Sequence, residues 1–247
     1  MVTILGAAAS GLAHNQSVMD VIGHNLANVN TQGYKKYRAL AEGRPDPAQL
    51  PEGGRLGVAE TTRDLIFNQS TSQSTDDALH FSIQDDTFFR VRDTDGSTAL
   101  TRLGSLSVDA ARNITGYRGR FLQPPVTLPE GMSQPGIDQA GLITARDETG
   151  ARQPIGQVTL VRFTNPQGLE AMGDGLYRET VNSGPSSEGN PTEQGFAGVI
   201  PGSLEGSNVE IAEEFTNMII AQRAYQAAAK TFSVGDEMLA IATNLTR

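Results

Sequence analysis

The chain contains no cysteine and no tryptophan, and aromatic residues make up only 6% of it. Without cysteine there is no disulfide, no thiolate nucleophile and no cysteine-based metal site. Such a chain works in either redox compartment. Basic residues are few and scattered: 19 Lys and Arg against 28 Asp and Glu give a formal net charge of −9. Lys35-Lys36-Tyr37-Arg38 is the one basic cluster, and it reads as a solvated helix exit. Nucleic-acid binding rests on neutralising phosphates, so this balance argues against a nucleic-acid partner. No stretch approaches the ~20 apolar residues of a membrane span. The opening MVTILGAAASGLA has a short apolar run but no Lys or Arg before it, and its periodicity runs past any cleavage point. It therefore reads as mature helix, and any export is expected to proceed without a cleaved signal peptide.

Catalytic constellations are missing as well. The only imidazoles are His14, His24 and His80. The first two sit about 80° apart around one helix, a poor metal pair. Asp76-Asp77 and Asp85-Asp86 lack the ligand spacing, Gly and closing Glu of a calcium loop, and acidic residues at turns are ordinary. Gly-x-Ser-x-Gly, the phosphate-binding loop and His-Glu-x-x-His are all absent. No catalytic residue, metal or cofactor is expected, and the chain is not read as an enzyme.

What the sequence does hold is periodicity at its two ends. Leu5, Ala8, Leu12, Asn15, Met19, Ile22, Leu26 and Val29 alternate spacings of three and four, a heptad seam. Its one polar member, Asn15, either fixes register or is tolerated in a core helix. Asn30-Thr31-Gln32-Gly33 then stops the helix, Gly33 being able to take the left-handed cap conformation. At the far end Ile211, Met218, Tyr225, Phe232 and Leu239 recur every seven residues. Beside them Ala221, Ala228, Gly235 and Ala242 form a small-residue row that would let another helix approach closely. Asn208 is the expected N-cap, with Glu210, Glu213 and Glu214 in or near the first turn. A helix from Asn208 to Leu245 greatly exceeds the ~11–12 residue globular mean. Such lengths suggest coiled-coil packing, here of the two ends on each other and on further copies.

Between roughly residues 61 and 198 the pattern becomes short alternating runs separated by turns. Leu79–Ile83, Thr87–Arg92, Ala99–Leu103, Ser105–Val108, Phe121–Val126, Gly141–Ala145, Val158–Phe163 and Gly175–Thr180 are the expected strands, with Asp95-Gly96 a hairpin turn. The segments 41–57 and 182–193 read as linkers. The expected fold is α+β, mainly β: two long terminal helices form a coiled-coil domain (1–33 and 204–247), 34–60 connects, and 61–203 is an inserted antiparallel sandwich or open barrel.

The two ends also resemble a known family. Asn25-Leu26-Ala27-Asn28, Thr31, Gly33, Tyr34 and Lys35 resemble the N-terminal signature of bacterial flagellar axial proteins, those of the rod and hook. Ser207-Asn208-Val209, Asn217-Met218-Ile219, Gln222-Arg223-Ala224-Tyr225 and Met238-Leu239 are similar to that family's C-terminal signature. The middle matches more loosely through TFFRVRDTDGSTALTRLGSLSVD. There Gln84-Asp85-Asp86-Thr87 replaces a Gly-rich approach, and Ala110-Ala111-Arg112-Asn113 replaces an Asn/Asp-Gly turn.

The resemblance implies a structural subunit of the basal body. Its terminal helices would pack with copies of itself and with other rod and hook subunits, and it would leave the cytoplasm through the flagellar type III export machinery for the basal body in the cell envelope. It implies an assembly interface at Leu5, Leu12, Asn15, Met19, Ile22, Leu26, Asn28, Gly33, Tyr34, Ile211, Met218, Tyr225, Phe232 and Leu239. A single outer β domain fits a rod subunit better than a hook subunit, with proximal rod proteins the near alternative. A secreted β-domain adhesin with helical oligomerisation ends is a more distant one.

Overall fold

The computed structural model describes residues 2–43, 58–93, 95–193 and 195–245 of the 247-residue chain. It divides into two compact units. A helical unit takes residues 1–29, 36–66 and 209–247, and a β unit takes 30–35 and 67–208. The chain is mainly β with a long helix towards each end.

In the helical unit, α1 spans Val2–Ala27 and α2 spans Ile211–Leu245. α1 ends in the expected Asn-rich turn. α2 begins three residues after Asn208, where the Glu214 amide bonds the Glu210 carbonyl (3.0 Å), and carries Glu213 and Glu214 in its first turn. The helices run antiparallel: Asn25 hydrogen-bonds Glu214, Gly11 lies against Ala228, and Gly235 lies against Leu5. Glu214, Ala221, Ala228 and Gly235 thus form a seven-residue row facing α1. The small row expected to admit another helix admits α1 of the same chain. Ala242, its remaining member, has a side chain outside the described residues.

The other flank of α1 carries a hairpin, β1 (Tyr37–Gly43) with β2 (Val58–Leu65), paired antiparallel from Tyr37↔Leu65 to Gly43↔Val58. His14 Nδ1 pairs with Thr61 Oγ1 at 2.9 Å, and the Val58 amide donates to Ser10 Oγ at 3.2 Å. A plain connecting segment was expected over 34–60. Alternation in Tyr37-Arg38-Ala39-Leu40 and the Thr61-Thr62 pair instead favour strands. The Pro- and Gly-rich part of the expected linker, 44–57, lies outside the described residues.

The β unit is organised around β5 (Thr87–Arg92), which follows β3 (Ser72–Ser74) and β4 (Phe81–Ile83) and precedes β6 (Thr98–Thr101). The main antiparallel sheet runs 170–173, 176–178, β6, β5, 121–122, 114–115, 107–108. One edge of β5 is shared, its start pairing with Leu160–Phe163 and its end with Phe121–Leu122, so the sheet curls. Both faces of β5 are covered. Phe89 packs on Phe81 in a core with Val91, Leu122, Ile143 and Leu160, while Phe88 meets Phe67, Phe163 and Tyr177. A second sheet joins Ser133–Ile137, Leu142–Arg146 and Arg152–Gln157. The expected linker 182–193 contains a strand, Ser186–Gly189, paired with Leu160–Phe163. Its Ser/Gly composition is tolerated because Leu160–Phe163 is its only strand neighbour among the described residues.

One turn recurs four times. The amides of Asp93, Asp109, Asp138 and Asp147 each bond the carbonyl four residues on, and the fourth residue's amide returns to the Asp carbonyl. That fourth position has positive φ, and three times it is glycine (Gly96, Gly141, Gly150). In the departing turn it is Arg112, at φ 65°. The strain is offset by the guanidinium, which donates to the carbonyls of Leu128 (3.0 Å), Pro129 (2.8 Å) and Met132 (2.7 Å). Arg112→Ala should therefore destabilise the β unit by about 2 kcal/mol in urea unfolding, losing the clamp while keeping the strain. Arg112→Gly should recover about 1 kcal/mol of that loss.

Candidate functional site

Among the described residues no group of three or more His, Asp and Glu is placed to hold a metal. The histidines make local structural contacts. His14 bonds Thr61, His80 bonds Thr75 (3.1 Å), and His24 sits edge-on to Tyr37 at 5.7 Å. Asp77 accepts the Leu79 amide in a turn. The unusual polar chemistry lies instead beside the points where the chain passes from one unit to the other, at 35/36, 66/67 and 208/209.

In the β unit, Lys35, Arg102 and Glu205 form a buried ion triad with side chains 0%, 0% and 1% exposed. Lys35 Nζ lies 2.7 Å from Glu205 Oε1, and Arg102 reaches both carboxylate oxygens at 3.0 and 3.4 Å. Each nitrogen of the two cations has an acceptor. Lys35 donates to the Asn68 carbonyl, Arg102 to those of Asp85 and Thr87, and the Arg102 guanidinium lies over the Phe88 ring at 5.6 Å. Two cations share one carboxylate. Burial, and next the neighbouring Arg102, push the Lys35 ammonium below its usual value against the pull of Glu205. Burial alone would raise Glu205, but Arg102 and Lys35 outweigh it and hold the carboxyl below its ordinary 4.5.

The triad ties three chain segments together. The Gly33 amide donates to the Glu205 carbonyl (2.8 Å), the Asn208 amide to the Tyr34 carbonyl (3.3 Å), and Ser70 Oγ to the Ser207 carbonyl (2.9 Å). Gly33 is needed twice over: its φ is +64°, and a Cβ there would lie 2.7 Å from Leu103 Cδ2. The helical unit ties its own ends of the same segments. Asn25 brackets Tyr37, accepting from its amide (2.9 Å) and donating to its carbonyl (2.8 Å), and also donates to Glu214 (3.3 Å). Lys36 Nζ pairs with Glu213 at 2.7 Å, and the Ile66 amide bonds the Lys36 carbonyl. Glu214 is buried, and that burial raises its pKa above the usual carboxylate value although Asn25 and Lys36 oppose the shift.

The residues expected from the sequence divide by position. Ile22 and Gly33 are buried within the subunit. Leu5, Leu12, Asn15, Met19, Leu26, Asn28, Tyr34, Met218 and Leu239 are half-buried, and Ile211, Tyr225 and Phe232 are exposed. Asn15 does not fix a register between helices in this subunit, because its amide donates to the Gly11 carbonyl one turn back at 2.7 Å. Asn28, just past the end of α1, likewise donates back to the His24 carbonyl. The buried polar residue bridging α1 to its neighbours is Asn25, which the heptad count passes over and only the signature contains. Arg102 and Glu205 carry no local signal, since their meaning lies in a contact spanning 103 positions.

The imbalance of the triad orders the expected costs. Glu205→Gln leaves two buried cations without the one carboxylate that both contact and should destabilise the β unit by about 3–5 kcal/mol. Lys35→Met leaves the Arg102–Glu205 pair balanced and should cost distinctly less. Thermal unfolding of the two variants side by side checks the order.

Family descriptions match in three places: "Flagella basal body rod protein" over residues 5–35, "Flagellar hook protein FlgE/F/G D1 domain" over 82–145, and "Flagellar basal body rod FlgEFG protein C-terminal" over 200–245. The flagellar basal-body rod protein FlgG of Borreliella burgdorferi is 38% identical over an alignment covering 100% of both chains. That of Bacillus subtilis is 36% identical, again over 100% of both. The flagellar hook protein FlgE of Treponema pallidum is 41% identical over 111 residues, 45% of this chain and 24% of its own. Similarity to rod proteins at both ends, in the middle and across the full length leads to one assignment: the chain belongs to the FlgG family of flagellar basal-body rod proteins.

Proposed function

We propose that this protein is a non-catalytic subunit of the bacterial flagellar basal body. It polymerises with copies of itself and with other axial proteins into the distal rod, the shaft that passes torque towards the hook. The helical unit supplies the polymer contacts, and the β unit forms the layer around them. These are the roles expected for 1–33 with 204–247 and for 61–203. The subunit reaches its place through the flagellar type III export machinery.

The observation that carries this reading is the surface of α2. Although α1 covers one face of it, Ile211, Phe215, Ile219, Ile220, Tyr225, Phe232, Val234, Met238 and Ile241 remain between 37% and 61% exposed. Large apolar side chains at that density along one helix mark a protein–protein surface. Heterologous contacts that do not close build a helical filament. The rod reading is favoured over the hook because the hook relative is much longer, its 111 matched residues being only 24% of it.

The half-buried seam residues Leu12 and Met218 lie at the helix faces on which assembly depends. Leu12→Asp and Met218→Asp should leave the β unit folded, with unchanged near-ultraviolet dichroism, yet keep the chain out of purified basal bodies. Normal incorporation of both variants would overturn the reading.

A further inference from the structure

α2 presents two unlike faces. The Glu214–Ala221–Ala228–Gly235 row is occupied by α1. At 100° per residue, Phe215, Ile219, Ile220, Val234, Met238 and Ile241 fall within about 140° of arc on the opposite side. They are between 47% and 61% exposed. Arg223 and Lys230 sit at the centre of that arc, both exposed.

α1 carries a stripe of the opposite character. Ala9, Ala13, Gln16, Asp20, Gly23 and Ala27 follow spacings of four and three, and all are exposed. Asp20 is the one Asp, Glu, Lys or Arg on this helix. Gly23 is a mid-helix glycine, a residue that weakens a helix relative to alanine. Gly11 and Gly235 have a reason within the subunit, a neighbouring helix against the position of their Cβ. Gly23 has none: a Cβ added there would meet nothing within 4 Å. The space it keeps open is not needed by the isolated chain.

We propose that the outward face of α2 in one copy packs on the Ala9–Ala27 stripe of α1 in the next copy, with Asp20 opposite Arg223. This rests on the polymerising-subunit reading and adds the two faces and their register. Copies related by a helical operation point the same way along the axis, so α1 of one copy runs antiparallel to α2 of the next, as within the subunit. Setting Asp20 against Arg223 in that sense places Gly23 opposite Ile220, Ala27 beside Phe215, Ala13 opposite Lys230 and Ala9 opposite Val234. Large side chains of α2 then fall on Ala9, Ala13, Gly23 and Ala27, Gln16 faces Ala227, and the one α1 charge meets a cation. The contact is heterologous, since it joins different faces of the two copies, and it leaves one face of each kind free at the ends of the chain of subunits.

The absence of cysteine makes the test direct. The full-length chain carrying Ala13→Cys and Lys230→Cys, expressed as the sole copy in motile cells, should give a disulfide-linked ladder in oxidised basal bodies. Both positions face away from the helix contact inside the subunit, so they do not bridge within one chain. The pair Gly11→Cys and Ala228→Cys should instead close within the monomer. In parallel, Gly23→Leu should raise the melting temperature of the isolated chain while reducing its incorporation at least tenfold. Rods containing the Ala13/Lys230 double variant without a ladder, or normal incorporation of Gly23→Leu, would overturn the inference and leave the rod reading standing. Absence of the unaltered chain from basal bodies would overturn the rod reading itself.

Discussion

The close approach of α1 and α2 along Glu214, Ala221, Ala228 and Gly235 decides what else the molecule can do. Three of these four residues have little or no side chain, so the helices come near one another. Gly235 lies close enough to Leu5 that a Cβ would meet it at 2.8 Å. The large residues of α2 are thereby turned to the flanks and the far side, where water covers them. A helix of 35 residues beside one of 26 residues leaves much of its apolar surface exposed, the surface on which the proposed assembly rests. In the proposed account, folding and assembly are divided between two faces of one helix.

The same economy governs the segments that link the units. The Lys35–Arg102–Glu205 triad is a costly arrangement, because removing charges from water is repaid only where every donor finds an acceptor. Here each charged nitrogen has an acceptor, and the three residues come from distant parts of the sequence. A hydrophobic cluster could supply similar stability, but ion pairs and hydrogen bonds impose direction. In the helical unit, Asn25 does the equivalent, reading the Tyr37 backbone as a strand partner would.

Much of this was legible in the sequence, and the limits have physical causes. Heptad spacing located both helices because a 3.6-residue period leaves a repeating mark. TFFRVR gave β5 its exact bounds, since a buried strand rich in aromatic and branched residues declares itself. The strands at Ser133–Ile137 and Arg152–Gln157 were hidden, because Gly, Pro, Gln and Arg leave little alternation to read. The turn around Arg112 looked altered, yet its backbone repeats the other three. The sequence presents Lys35 as a solvated cation at a helix exit, whereas in the fold it is among the largest fully buried side chains. Its partner carboxylate is 170 residues away, and no local pattern points across that distance.

Amide hydrogen exchange on the isolated, monomeric chain tests the central claim most directly, comparing 211–241 with 87–92. If α2 is anchored along one face and finished by a neighbouring copy, its amides should exchange at least a hundredfold faster than those of β5. They should become protected once rods are isolated. Equal protection of the two segments in a proven monomer would contradict the account, since α2 would then be complete without any partner.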